Sequence, residues 1–285
     1  MNKSGKGIHK SARTSATPRL VSIMSGKGGV GKSVIAFNLA ERAAHLGLRT
    51  LLVDADLSCG NLHILANVDP GDGLDAFAFG QKSLSDTAVT IKDNLTLLAR
   101  SSGDPTGPFA SIEAAAALAA RLRVEAHDHD LVVIDHGSGV SPSAAAFAQA
   151  SDLNLLVLAP ELTSIADCYG LCKYLYQTDR TMNCRVLFNR IESEGEAEYV
   201  WTRFTAMAEQ FLGQTPGLAG ALPEDPSVRQ SVAGQRPASE SAPEAPFVLA
   251  LENVIRSLGR EVSPRAASIQ TREINVVTAS ADIRE

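Results

Sequence analysis

The sequence has few aromatic residues and no long apolar run. Aromatic residues make up 5% of its 285 positions, and it contains 1 tryptophan. No apolar stretch reaches the roughly eighteen residues that a membrane-spanning helix needs, so we expect no such helix. The lysines near the amino terminus are not followed by an apolar segment, which argues against a secretion signal.

Cysteine is also scarce, and its spacing excludes the usual zinc sites. The 4 cysteines are Cys59, Cys168, Cys172 and Cys184. Cys168 and Cys172 share one face of an expected helix, but no second pair has zinc-site spacing. We therefore expect buried thiols in a cytoplasmic protein. Peripheral attachment to the membrane or to a cell pole stays open.

The chain has no excess of positive charge. Its formal net charge of −6 argues against a globally basic nucleic-acid binder, and a content of 45% apolar and 20% charged residues is typical of a globular protein. From the composition we expect a disordered basic tail at 1–18, one α/β domain at 19–259 and a second disordered tail at 260–285. The second tail lacks the large apolar face of a membrane-surface helix.

The strongest functional signal is a loop that satisfies the pattern G-x-x-x-x-G-K-[ST], formed by Gly26, Lys27, Gly28, Gly29, Val30, Gly31, Lys32 and Ser33. An apolar run precedes it and a helical pattern follows it, which is the context that a phosphate-binding loop requires. Glycines let successive backbone N–H groups face an anion, and the helix start adds partial positive charge. We expect Lys32 to reach the β- and γ-phosphates and Ser33 to ligate Mg²⁺.

Strand and helix signals alternate through the domain. Strands are expected at 19–24, 50–53, 95–98, 131–135, 153–159, 184–188 and 218–222. Helices are expected at 33–46, 111–126, 143–150, 163–177, 196–212 and 246–258. The pattern predicts a doubly wound α/β fold, a mostly parallel sheet flanked by helices, with its ligand beyond the carboxyl ends of the strands.

Acidic residues close two of these strands. Asp54 and Asp56 follow the second strand, where alternation puts both on one side of the extended backbone. Asp135 ends the apolar run 131–134, and the segment Gly137-Ser138-Gly139 comes shortly after it. This is the Walker B pattern, in which the carboxylate holds the water shell of Mg²⁺ and the glycine segment responds to the γ-phosphate.

Together these motifs resemble the MinD/ParA group of P-loop ATPases, whose deviant Walker A loop carries two lysines. Within that group the chain is most similar to the FlhG/FleN branch, MinD-like ATPases that set flagellar number and placement. The branch-specific segments are 54–62, 159–167, 186–190 and 222–225. The resemblance implies slow ATP hydrolysis, ATP/ADP and Mg²⁺ as cofactors, and an ATP-bound homodimer. It also implies a protein partner, either a flagellar GTPase or a transcription regulator.

The resemblance also implies roles for individual residues. Lys27 would enter the partner subunit's site, Lys32 would serve its own, and Asp56 would orient the attacking water. Magnesium would be supported by Ser33, Asp54 and Asp135. The nucleotide site would comprise Gly26, Lys27, Gly28, Gly29, Val30, Gly31, Lys32, Ser33, Val34, Gly139, Asn189, Arg190 and Pro223, with Asn189 on the adenine edge and Pro223 over the ring.

Charge repulsion between Lys27 and Lys32 also predicts a dimer that depends on ATP. A second lysine in the loop would repel the first unless a negative charge lay between them, and a site shared between two subunits supplies that charge only when ATP is present. Loss of the γ-phosphate would then relax the segment after Asp135 and weaken the dimer.

Three features depart from the family pattern. His136 stands where threonine or serine is usual, and we expect it to face solvent. Neither a carboxyl-terminal membrane-targeting helix nor an amino-terminal GTPase-activating segment is evident.

A DNA-partitioning ATPase of the ParA type is the alternative, although the arginines in 180–260 are interspersed with acids and DNA binding is not expected. An iron–sulfur protein is disfavoured because no cysteine lies in the segment shortly after Asp135, where a ligand of the cluster would be needed.

Overall fold

A computed structural model describes residues 17–56, 60–100 and 111–260. Eight strands form one sheet, in the spatial order β3-β4-β2-β5-β1-β6-β7-β8. Their bounds are β1 Arg19–Met24, β2 Thr50–Ala55, β3 Val89–Lys92, β4 Leu95–Leu98, β5 Leu131–His136, β6 Leu153–Leu158, β7 Cys184–Ile191 and β8 Gly217–Pro223. All neighbouring strands are parallel except β3 and β4, which form an antiparallel pair at one edge.

Helices cover both faces of this sheet. The longer helices are α1 Lys32–His45, α5 Ile112–Glu125, α6 Pro142–Ala150, α7 Leu162–Thr178, α8 Glu194–Leu212, α9 Pro226–Ala233 and α11 Pro246–Arg260. The short helices are α2 Leu62–Leu65, α3 Gly73–Ala78, α4 Leu84–Thr87 and α10 Ala238–Ser241. One core packs α1 and α11 against the sheet, and two further cores on the other face pack α5 to α8. The expected α/β class is confirmed.

The central strands are buried throughout and mostly apolar because both of their faces are covered. Every residue of β1, β2, β5 and β6 is buried, as expected for strands of a parallel sheet between two helical layers. The carboxyl ends of these strands meet at one edge of the sheet. The loops that follow them therefore lie side by side, and they include the phosphate loop, Asp56 and the segment Gly137 to Gly139.

The start of α1 has no side-chain cap, a feature that it shares with α7 among the longer helices. The side chains of Ser111, Ser141, Ser193 and Asp225 cap α5, α6, α8 and α9. By contrast, α1 follows Gly31 at φ 93°, and no side chain caps it. The first N–H groups of α1 therefore remain available to an external acceptor.

The seven expected strands and six expected helices are all present, with ends that differ by a few residues. The expectation missed β3 and the helices α2, α3, α4, α9 and α10. Cys168, Cys172 and Cys184 are buried free thiols, as expected. Cys59 and most of both tails lie outside the described residues. In the described part of the chain, no helix combines the length and the apolar character needed to cross a membrane.

Candidate functional site

An open cleft at the carboxyl edge of the sheet is built around the phosphate loop. Its volume is about 330 Å³, and it is lined by Ser25, Gly28, Gly29, Gly31, Lys32, Ser33, Val34, Asp56, Ser138 and Arg190. Gly29 and Gly31 have φ values of 81° and 93°, in the left-handed region that glycine tolerates. A Cβ on Gly29 would meet nothing within 4 Å, so the loop backbone there is open to a ligand.

Lys32 lies at the floor of the cleft. Its Nζ donates to Asp135 Oδ1 at 2.6 Å, and both side chains are buried. Burial raises the pKa of Asp135, and the ammonium of Lys32 opposes that rise. Ser33 Oγ lies 3.4 Å from the same Nζ. The floor therefore holds a cation, a carboxylate and a hydroxyl, the groups that bind phosphate and magnesium.

Lys27 points away from this floor. Its Nζ donates to Glu161 Oε2 and to Thr163 Oγ1, both at 3.0 Å. The side chain is 39% exposed, and that of Glu161 is 53% exposed. Glu161 immediately precedes α7, so the start of this helix holds Lys27 at the rim of the cleft. The two lysines of the loop are thus separated, one in the floor and one at the surface.

The two aspartates after β2 have different surroundings. Asp54 is 3% exposed, and its carboxylate accepts the backbone N–H groups of Asp56 and Leu62. Burial, followed by repulsion from Asp135, raises the pKa of Asp54 to about 7. Asp56 lines the cleft instead, beside the Walker B segment: a Cβ on Gly137 would lie 3.3 Å from Asp56 Oδ1. Asp56 is therefore the aspartate that faces a ligand in the cleft.

Asn189 braces the phosphate loop from β7. Its side-chain amide donates to the Val30 carbonyl at 2.8 Å, and it lies 2.4 Å from where a Cβ on Gly31 would sit. One amide hydrogen is therefore used within the protein, and Gly31 is needed for the close approach. Val30 itself is buried. Asn189 therefore supports the loop, and its contact with the base stays a prediction.

The far wall of the cleft is formed by the ends of β7 and β8. Arg190 has φ 61°, an uncommon value for a residue with a side chain, and its Nε lies 3.9 Å from Glu224 Oε2. Pro223 ends β8 next to Ile191 and does not line the cleft itself. Arg190 thus faces the phosphate loop, while Pro223 lies behind it.

The Walker B segment is tied to the start of the phosphate loop. Gly139 has φ 88°, and its N–H donates to the Ser25 carbonyl at 2.8 Å. Ser25 and Ser138 both line the cleft, although the sequence analysis did not select them. Their position directly beside the two motifs was the available signal. Gly26 packs against α7, because a Cβ there would overlap the Asp167 carbonyl.

His136 does not face solvent, so that expectation was wrong. It is 1% exposed, its ring packs edge-on to Phe147, and its Nε2 lies 2.8 Å from Ser22 Oγ. Ser151 Oγ donates to the Phe147 carbonyl and therefore accepts from Ser22 Oγ at 2.9 Å. Ser22 must then accept from Nε2–H, which fixes the tautomer. Burial, followed by Lys32, lowers the pKa of His136 to about 3. His136 is the last residue of β5, and its side chain lies on the opposite face of the strand from Asp135, toward α6.

The cleft fits a phosphate ligand but not a metal ion held by protein alone. Uncapped N–H groups, the open backbone at Gly29 and a buried ammonium converge on it. Within the described ranges no three His, Cys, Asp or Glu side chains lie close enough together to hold a metal ion. A magnesium ion here would need phosphate oxygens among its ligands, which is usual for nucleotide sites.

Comparison with known proteins gives a consistent family match. Residues 21–238 match the model of the CobQ/CobB/MinD/ParA nucleotide binding domain. The antiactivator FleN of Pseudomonas aeruginosa is 30% identical over 240 residues, which cover 84% of this chain and 86% of FleN. The flagellum site-determining protein YlxH of Helicobacter pylori is 31% identical over 157 residues, 54% of this chain and 53% of YlxH.

Solved structures share the fold. The septum site-determining protein MinD of Pyrococcus horikoshii, solved as a complex with Mg-ADP, superposes with a TM-score of 0.70 at 22% identity. The match covers 90% of this chain and 100% of that one. The similarity extends across nearly all of the sheet and its helices, so the arrangement of the loops at the carboxyl edge is that of a MinD/ParA nucleotide-binding fold.

Proposed function

Since the chain belongs to the CobQ/CobB/MinD/ParA nucleotide-binding family, we propose that it is an ATP-dependent dimerising switch that hydrolyses ATP slowly. The proposal includes control of flagellar number or placement through a protein partner. It is supported by the resemblance to the FlhG/FleN branch and by the match to a relative named as a flagellum site-determining protein.

The separation of the two loop lysines is the observation that carries this proposal. Lys32 is buried at the floor, whereas Lys27 is held at the rim by Glu161 and Thr163. A lysine at the rim is poorly placed for its own phosphates and accessible to a second molecule. Its ion pair with Glu161 is largely solvated, so replacing it with a phosphate contact costs little.

The described residues divide the catalytic work between them. ATP, when bound with Mg²⁺, supplies the γ-phosphoryl group and the charge that the site must stabilise. Lys32, which pairs with Asp135 here, would hold phosphate oxygens, and Asp135 and Ser33 would then hold Mg²⁺ and its waters. Asp56 orients the attacking water, and Gly139 reports the state of the γ-phosphate. Loss of the Ser25–Gly139 contact would let the Walker B segment move.

Exposed apolar side chains beside the cleft favour dimerisation. Two apolar side chains flank the cleft on the outside: Val140 is 49% exposed after the Walker B segment, and Leu162 is 66% exposed beside Glu161. A face-to-face dimer buries both and brings the partner's Lys27 to the phosphates. Because a triphosphate would offer that lysine more negative charge than the solvated Glu161 does, nucleotide state and subunit association are linked.

The test is the mass of the particle in solution with ADP and with ATP. We expect light scattering to give a monomer with ADP and a dimer with ATP for the wild-type protein. Lys27→Ala should bind ATP and stay monomeric. Lys173→Ala removes an exposed lysine of α7 and serves as the matched control, with wild-type behaviour. A monomer under every condition, or a dimer of Lys27→Ala, would refute the switch.

A further inference from the structure

The loop after β2 is closed on itself by a single buried carboxylate. Asp54 Oδ1 accepts the N–H of Asp56 at 3.2 Å, and Asp54 Oδ2 accepts the N–H of Leu62 at 3.0 Å. The second bond joins residues eight positions apart and is buried. Together the two bonds fix both ends of a segment whose first residue, Asp56, lines the cleft.

Gly60 completes this closure. A Cβ on Gly60 would lie 2.8 Å from Asp54 Oδ2 and 3.0 Å from Cγ and Oδ1 of the same side chain. A Cβ cannot make a contact as short as 2.8 Å, so any residue other than glycine would push the carboxylate away. The loop backbone therefore packs directly on the group that binds it.

Among the described residues, Asp54 is the partner of the Leu62 N–H. Leu62 is the first residue of α2, so its N–H has no acceptor within that helix. The bond to Asp54 is what satisfies this buried donor. The Asp54 carboxylate therefore binds both α2, through Leu62, and the catalytic candidate Asp56.

We propose that Asp54 is a positioning residue: it holds the loop around Gly60 and thereby sets the position of Asp56 over Gly137, instead of supporting magnesium. Both carboxylate oxygens already accept backbone N–H groups inside the protein, and the side chain is 3% exposed. A carboxylate in this position acts on the reaction only through Asp56. The proposal rests on the proposed ATPase function, since it assigns the water-orienting role to Asp56.

Two substitutions separate this role from a metal role. Asp54→Asn replaces one acceptor oxygen with an NH₂ group, which cannot accept a hydrogen bond from a backbone N–H. Gly60→Ala keeps the carboxylate but displaces it. Both should lower kcat by about tenfold to a hundredfold, because small displacements of a catalytic group have effects of that size. The Mg²⁺ concentration that gives half-maximal activity should stay at its wild-type value in both variants.

Gly195→Ala is the matched control, because a Cβ on Gly195 meets nothing within 4 Å. It should retain wild-type kcat. A clearly raised Mg²⁺ requirement in Asp54→Asn, together with normal turnover in Gly60→Ala, would overturn the proposal and return Asp54 to the metal.

Hydrogen exchange tests the same contact without any nucleotide. In the wild-type protein the Leu62 amide should be strongly protected, and Asp54→Asn should raise its exchange at least about tenfold while the amides of β1 and β5 keep their rates. Exchange of Leu62 at the rate of a free amide in the wild type would refute the contact, even if a variant fails to fold. A wild-type protein without ATPase activity would contradict the proposed function, whereas the exchange result would still decide the contact.

Discussion

Lys32 combines two roles that a single substitution would expose. It provides the cation of the cleft floor, and it neutralises Asp135 in the absence of nucleotide. We expect Lys32→Ala to abolish nucleotide binding and to lower the free energy of unfolding by on the order of 3 kcal/mol, because a buried carboxylate loses its partner. Titration with a fluorescent ADP analogue and urea unfolding measure the two effects.

The double variant Lys32→Ala with Asp135→Asn separates these two effects. It removes the unpaired charge, so most of the lost stability should return while binding stays absent. If Lys32→Ala bound ADP with wild-type affinity, the interpretation of the loop as a phosphate site would be wrong. Full recovery of binding in the double variant would contradict it as well.

His136 makes the protein sensitive to acid. Its pKa is lowered from 6.5 to about 3 in the folded protein, so the unfolded chain takes up a proton first as pH falls. The stability it contributes is fully present above about pH 6.5 and is lost toward pH 3, at about 1.4 kcal/mol per pH unit. At pH 5 the loss is about 2 kcal/mol.

His136→Gln isolates this contribution, because glutamine stays neutral and keeps an N–H for Ser22. Between pH 7 and pH 5, urea unfolding of this variant should show about 2 kcal/mol less destabilisation than the wild type. Comparison of the two proteins cancels other groups, including Asp54. His127→Gln changes a histidine whose side chain is 59% exposed and should follow the wild type. Equal slopes for wild type and His136→Gln would contradict the buried neutral ring.

At the scale of elements, the conformation of the phosphate loop depends on its packing against α7 as much as on its own glycines. A Cβ on Gly26 would lie 2.2 Å from the Asp167 carbonyl oxygen, and this backbone atom cannot rotate away. We expect Gly26→Ala to lower the free energy of unfolding by about 1–3 kcal/mol and to weaken nucleotide binding.

Gly170→Ala is its control in the same helix, since a Cβ on Gly170 meets open space. That variant should be as stable as the wild type or more stable by up to about 1 kcal/mol, because alanine favours the helix. Thermal unfolding of the three proteins makes the comparison. A Gly26→Ala protein as stable as Gly170→Ala would show that the loop and α7 are not in firm contact.

The strands could be predicted because burial on both faces leaves an unbroken apolar run. β2 and β5 show it, β1 and β6 are interrupted at one position each, by Ser22 and Asn154, and the loops that follow β1, β2 and β5 carried recognisable motifs. β3 was missed because it lies at the edge, is only half-buried, and reads Val89-Thr90-Ile91-Lys92 without a continuous run. Helices of four residues, such as α2, are too short to show a helical period.

Contacts between distant elements could not be predicted. The sequence indicated that Lys27, Asp54 and Asn189 matter, yet it could not show that each already has a partner in its own chain: Glu161, Leu62 and Val30. His136 was placed in solvent because its motif lies at a strand end. Burial by α6, which begins only after the Walker B segment, decides otherwise.

At the scale of the whole molecule, charge disfavours DNA as a partner. Arg229 lies 3.0 Å and Arg190 3.9 Å from carboxylate oxygens of Glu224, and Arg256 pairs with Glu252. These arginines were among those that a DNA-partitioning protein would use. At physiological salt we expect no shift of duplex DNA in a gel with ATP or with ADP. A shift with ATP alone would favour the ParA-type alternative.

The central claim is that each subunit lends Lys27 to the other. The Lys27→Ala variant lacks the lent lysine, and Asp56→Ala lacks the residue that orients water, so each alone should turn over ATP at least about a hundredfold more slowly than the wild type. A mixed dimer has one complete site: the nucleotide site of the Lys27→Ala subunit, completed by Lys27 from its partner.

The most direct measurement is therefore ATP turnover in an equimolar mixture of the two variants. Lys27→Ala subunits do not pair with one another, so each active particle is a mixed dimer with one working site out of two. Turnover should therefore rise clearly above the sum of the separate components, to at most about half of the wild-type value. A mixture that hydrolyses ATP no faster than the sum of its separate components would contradict the account.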